Sequence, residues 1–163
     1  FLMTVTDEGM SYLLDRNIAE FVNPDGAMSD DEIAELMEDE DFAESNLMHG
    51  INGRMYGNLD PLMLTAGQNV RVYTLSVGTE VDLHSLRIQG HSLLIRGERR
   101  AQLNLMPGDV MEAELLPTAG SWAVYCQTND HIAAGMIGRM HVLPNPLDDP
   151  LVVRKTTGRT RKY

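Results

Sequence analysis

The stretch SWAVYCQTNDHIAAGMIGRMHVL, residues 121–143, decides how the chain is read. SWAVYCQ (121–127) follows a TAG turn and has the composition of a short strand, GRMHVL (138–143) is a second that closes before Pro144, and a loop joins them. Working outward, similar runs recur between turn signals from about residue 46. NVRVYTL (69–75) alternates and is β-branched, and TEVDLHSLRI (79–88) alternates Val81 and Leu83 against Asp82 and His84. HSLLIRG (91–97) ends at Gly97, and DVMEAELL (109–116) follows the Pro107–Gly108 turn. Strands this short at such spacing predict an all-β, antiparallel-rich sandwich with Greek-key links. Ahead of them lies one helix signature. Ser29 stands three residues before Glu32, acidic residues fill the first turn, and Ile33, Leu36 and Met37 make a narrow apolar stripe.

The totals agree with one domain. Of the 163 residues 43% are apolar, but with three Phe and one Trp the core must draw on aliphatic side chains and the eleven Met. A net charge of −11 argues against general binding to nucleic acid, whose phosphates it would repel. The acid is concentrated in SDDEIAELMEDEDFAE (29–44), whereas the tail VVRKTTGRTRKY (152–163) is basic. No apolar run approaches the roughly 20 residues of a membrane span, no signal peptide opens the chain, and Phe1 in place of Met suggests a mature product or an excised piece.

The single cysteine excludes an internal disulfide and directs attention to its surroundings. Cys126 ends a strand, His131 follows five residues later and Met136 five after that, both in the loop. A thiolate, an imidazole and a thioether on one tight loop can converge on a point, and His84, in EVDLHSL, is the best upstream supplier of a second imidazole. Two His nitrogens and a Cys sulfur in a plane, with a weak axial Met, are the donors of a blue-copper centre, suited to both copper oxidation states. Taken singly, Cys126 reads as a buried hydrophobe, His131 as a polar loop residue and Met136 as core filler. Zinc is disfavoured because its structural sites seldom use Met and show paired Cys or His. A nucleophilic Cys126–His131 pair is open on spacing alone, but it lacks an evident orienting Asn or Asp and leaves Met136 idle.

Four stretches carry a more specific likeness: DEDFAESNLMHGINGRMYGNL (39–59), SVGTEVDLHS (76–85), RGERRAQLNLMPG (96–108) and AGSWAVYCQTNDHIAAGM (119–136). They resemble one internal cupredoxin (plastocyanin-like) unit of the multicopper ferroxidase family, the ceruloplasmin- and hephaestin-like proteins built from repeated units of this kind. The resemblance implies a cupredoxin-like Greek-key β-sandwich at 44–144, preceded at 1–43 by the end of another unit and a short helical, acidic linker, and followed at 145–163 by a linker into the next. It implies a type 1 copper held by His84, Cys126, His131 and Met136. It places a ferrous iron substrate at Glu44, His49 and Asp130, completed by a carboxylate from a neighbouring unit, with Glu80 donated in turn to a neighbour's iron. The implied protein is an oxidoreductase that is secreted or an ectodomain, and its partners are the neighbouring units of the same chain.

Departures from the family pattern limit that reading. Where the oxygen-reducing unit has histidines for its trinuclear copper site, this chain has Tyr125, Gln127, Arg87, Gln89 and Ala133, so dioxygen reduction is expected elsewhere in the parent protein. Thr65 stands where the family often has a disulfide cysteine, no cysteine follows the last strand, and there is no Asn-x-Ser/Thr sequon. His91 and His141 are read as structural. The rival reading is a non-catalytic structural or adhesive repeat, as in the related coagulation factors.

Overall fold

The computed structural model describes residues 1–79 and 81–148. Eleven strands are described: β1 (Leu2–Asp7), β2 (Leu47–Ile51), β3 (Leu62–Thr65), β4 (Val70–Val77), β5 (His84–Ile88), β6 (Leu93–Ile95), β7 (Glu98–Arg100), β8 (Gln102–Leu105), β9 (Val110–Leu115), β10 (Gly120–Cys126) and β11 (Ile137–Leu143). They form two sheets, ordered β2-β1-β4-β9-β6-β7 and β3-β11-β10-β5-β8. Each sheet holds one parallel pair, β1 with β4 and β3 with β11, and the other pairs are antiparallel. The chain crosses between sheets, so sequence neighbours such as β8 and β9 lie in opposite layers. This is the β-sandwich expected from the spacing of the strands.

The core lies between the layers and follows from period-two alternation. On β4, Val72, Thr74 and Ser76 point inward, while Arg71, Tyr73, Leu75 and Val77 face out. On the facing sheet Leu86 and Ile88 of β5 lie opposite Cys126 and Val124 of β10, and all four are at most 1% exposed. Each such aliphatic side chain removed from water stabilises the fold by about 1.5–3 kcal/mol. Cys126 is free, and β3 is held instead by its ladder to β11, with the Ala66 N–H donating to the Leu143 carbonyl at 2.9 Å just past the strand.

The helical signature holds: α1 (Leu14–Asn17) is a single turn, and α2 (Asp30–Glu38) is capped by Ser29. The Ser29 N–H donates to Glu32 Oε2 at 2.8 Å and the Glu32 N–H donates to Ser29 Oγ, a closed capping box. A second short helix, α3 (Glu40–Ser45), starts from Asp39 and delivers the chain to β2.

Three details differ from the sequence reading. The sandwich draws on residues before 44: β1 sits inside the first sheet between β2 and β4, because Met3, 0% exposed, gives that sheet an apolar inward side chain. The strand read over 79–88 begins only at His84, and its inward set is the polar one: Asp82 is 8% and His84 2% exposed, against 76% for Val81 and 51% for Leu83. Leu86 and Ile88 fix the phase of β5, which turns His84 inward, while ahead of it the Asp82 N–H donates to the Thr79 carbonyl at 3.1 Å. The loop after Cys126 contains a helical turn, α4 (Asn129–Ala133). Glu80 and most of the 145–163 linker lie outside the described residues.

Candidate metal centre

Two strands and one turn bring the donors together. His84 is two residues from Leu86 on β5, so it shares the inward face, and Leu86 is the register partner of Cys126 at the end of β10. α4 then folds His131 back over that end of the sandwich. The turn is closed by the Met136 N–H donating to the His131 carbonyl at 2.8 Å and by the Cys126 N–H donating to the Met136 carbonyl at 3.1 Å. Gly135 makes this return possible, with φ +102° and a position where a Cβ would stand 2.8 Å from the Tyr56 ring.

His84 Nδ1 lies 3.1 Å from His131 Nδ1, and that nitrogen is 3.6 Å from Cys126 Sγ. Among the described residues these three form the one group of His, Cys, Asp or Glu donors within 4.8 Å of one another, and all three are buried. The Ser85 N–H donates to Cys126 Sγ at 3.3 Å, which orients the sulfur. Met136 is 0% exposed and its backbone is bonded to both Cys126 and His131. His84 Nε2 has no hydrogen-bond partner. Two imidazoles and a thiol, convergent and buried, with the buried Met136 in the same turn, fit copper by the chemistry of the set.

The residues named for iron are arranged differently. Glu44, at the end of α3, and Asp130, on α4, are exposed and line one groove of about 720 Å³ together with Asp41, Met55, Tyr56 and Ala133. His49 is 5% exposed, its Nδ1 is 3.0 Å from the Leu47 carbonyl, and its ring centroid is 5.0 Å from that of His131. Glu44 and Asp130 thus share a groove while His49 packs against His131, and the three do not form a group within 4.8 Å. His91 and His141 lie apart from this cluster, His91 packed edge-on against Trp122 at 4.9 Å and His141 half-buried on β11.

Comparison with known proteins places this geometry. The chain is 39% identical over 148 residues to ceruloplasmin of Rattus norvegicus, an alignment covering 88% of the chain, and 36% identical over 163 residues to hephaestin of Homo sapiens, covering 99%. The chain belongs to the ceruloplasmin and hephaestin family. It spans 13% of the length of either relative. No protein-family model matches it. The solved multicopper oxidase from Campylobacter jejuni superposes with a TM-score of 0.54 over 88% of the chain and 29% of its own, at 15% identity. That likeness shows the fold, so this ceruloplasmin-family chain is a cupredoxin-like sandwich.

The imidazoles of this centre resist protonation. Burial, with His131 beside it, pushes His84 down to about 4, and burial with His49 beside it lowers His131 as well. The sign follows from linkage: the unfolded histidine takes up its proton near 6.5 while the folded one stays neutral, so stability is intact above that pH and is lost as pH falls toward 4. The metal-free protein is expected to lose about 2–3 kcal/mol from His84 alone between neutral pH and roughly pH 4.5, read as a falling urea midpoint. A midpoint that holds across this range would show that the imidazoles are already charged in the fold.

Proposed function

We propose that this chain is one unit of a multicopper oxidase that oxidises ferrous to ferric iron, in which His84, Cys126, His131 and Met136 would hold a type 1 copper. The observation that carries this reading is the buried convergence of His84, Cys126 and His131. Copper bound there supplies a one-electron acceptor and donor whose two oxidation states are both tolerated by the mixed nitrogen and sulfur set.

The chain's own residues do the rest. Burial of the three donors keeps water from the centre and holds the imidazoles neutral, ready to bind metal at moderately acid pH. Ser85 orients the sulfur through its N–H, and α4 carries the buried His131 beside Asp130, which lines the groove. Glu44, His49 and Asp130 bind the iron substrate: carboxylates stabilise the ferric product more than the ferrous one, which favours loss of one electron from Fe(II) to give Fe(III). Asp130 adjoins His131 in sequence, so the iron and copper positions share a short covalent path. The electron's final acceptor is dioxygen, reduced by other units, since Tyr125, Gln127, Arg87, Gln89 and Ala133 offer no histidines here. Glu80 is proposed to serve a neighbouring unit's iron, and the setting is the outside of the cell or an ectodomain; no described helix is long and apolar enough to cross a membrane.

The test separates the two metal positions. Glu44→Ala with His49→Ala in the parent protein should leave the visible copper absorption in place and slow iron oxidation by about tenfold or more in kcat/KM. Unchanged iron kinetics would remove these residues from the iron site, and a parent that takes up copper without colour at this unit would favour the non-catalytic repeat.

A further inference from the structure

The turn that carries Met136 is gripped by a second stretch of chain, residues 56–59. The Tyr56 N–H donates to the Gly135 carbonyl at 2.8 Å and the Gly57 N–H donates to the Ile137 carbonyl at 2.9 Å, so the two bonds straddle Met136. Leu59 occupies the space a side chain would need at Gly138, where a Cβ would stand 2.7 Å from its Cβ and Cδ2. Tyr56 does the same at Gly135, where a Cβ would stand 2.8 Å from its Cε1 and 2.9 Å from its Cδ1 and Cζ. Its own placement is costly. Tyr56 has φ +52°, a left-handed conformation that a bulky residue seldom adopts, and it is 65% exposed, so burial returns little. Glycine or asparagine would suit that backbone better. What the ring supplies is a cover on Gly135, which is itself buried. Gly135, at φ +102°, is the residue of the turn with the most backbone freedom, and Met136 follows it directly. With the ring against it, the glycine has no open space on that side to move into.

Resting on the copper reading above, we infer that Tyr56 is a positioning residue of the metal centre, its ring pressed on Gly135 so that the backbone presenting the Met136 thioether cannot shift. An axial thioether is a weak, long donor to copper and cannot fix its own distance, so that distance depends on the chain that carries it. Tyr56 acts through Gly135 and the two straddling hydrogen bonds.

The test uses the 163-residue chain titrated with copper(II). Tyr56→Gly keeps the N–H and suits the positive φ but removes the ring, whereas Tyr56→Phe keeps the ring and removes only the hydroxyl. Tyr56→Gly should lower copper(II) affinity about tenfold and shift the visible band, while the urea midpoint of the metal-free protein holds. Tyr56→Phe should match wild type in affinity and band. Unchanged affinity and band in Tyr56→Gly overturn the inference. So does a Tyr56→Phe protein that behaves like Tyr56→Gly, because the hydroxyl and not the ring would then be responsible. A loss of affinity matched by an equal loss of metal-free stability marks a merely structural role and overturns it too. Should Tyr56→Gly fail to fold, Tyr56→Asn, which also tolerates positive φ, is held to the same outcomes. Wild-type chain that binds no copper overturns both this inference and the copper reading, whereas a coloured wild type with an unmoved Tyr56→Gly overturns this one alone.

Discussion

Cys126→Ser is expected to abolish the coloured copper centre and to weaken copper binding by roughly a hundredfold or more, while the metal-free protein stays folded. The change exchanges one small atom at a fully buried position whose neighbours Leu86 and Met136 are fixed by the sheet and the turn, so little packing is lost. The Ser85 N–H keeps an acceptor. What disappears is the soft donor: a serine hydroxyl stays protonated at neutral pH and offers copper a hard, neutral oxygen. The visible absorption arises from charge transfer from the cysteine sulfur, so it has no source in the variant. Copper titration followed by absorption, with urea denaturation of the metal-free forms alongside, checks both halves. Retained colour would place the sulfur donor elsewhere, and Cys126 is the only cysteine the chain has.

Leu86→Ala should have the largest effect on stability, about 2–5 kcal/mol, because it removes a wholly buried side chain from the centre of the second sheet. Leu86 faces Cys126 across one ladder and Leu103 across the other, and it lies two residues from His84. The cavity would therefore open against the metal donors, and copper affinity should fall along with the denaturation midpoint. The contrast with Cys126→Ser is diagnostic, since that variant uncouples copper binding from stability and this one moves them together. A loss below about 1 kcal/mol would mean that the site collapses around the gap and that Leu86 does not brace His84.

The legible and illegible parts of this chain differ for physical reasons. β4, β9, β10 and β11 were visible because they alternate over six to eight residues, long enough for period two to stand out. β7 is three residues, and β3 and β8 are four each, too short for any period, whereas β6 lies inside the run read at 91–97. α4 is five residues without a side-chain cap, and its geometry comes from His131 and Met136 being tied to the end of β10. The approach of Cys126 and His131 was readable because they stand five residues apart at one strand end, but the inward phase of His84 was masked by Val81 and Leu83, whose apolar character suggests a strand that is not there. Asp82 gave no signal at all, because a lone acid in a turn is ordinarily a solvated one. A carboxyl buried against the pattern shows only in the folded chain, as does the ring of His49 approaching His131. In the acidic run α2 buries nothing, yet the continuation in α3 places Glu44 at the groove.

The account stands on three donors sharing one copper ion, and the visible and electron paramagnetic resonance spectra of the chain titrated with copper(II) test it most directly. The expected result is saturation at a single equivalent, with an intense sulfur-to-copper band and the narrow copper hyperfine splitting of a cysteine-bound centre. A colourless protein with wide hyperfine splitting, unchanged when His84 or Cys126 is replaced, would contradict it.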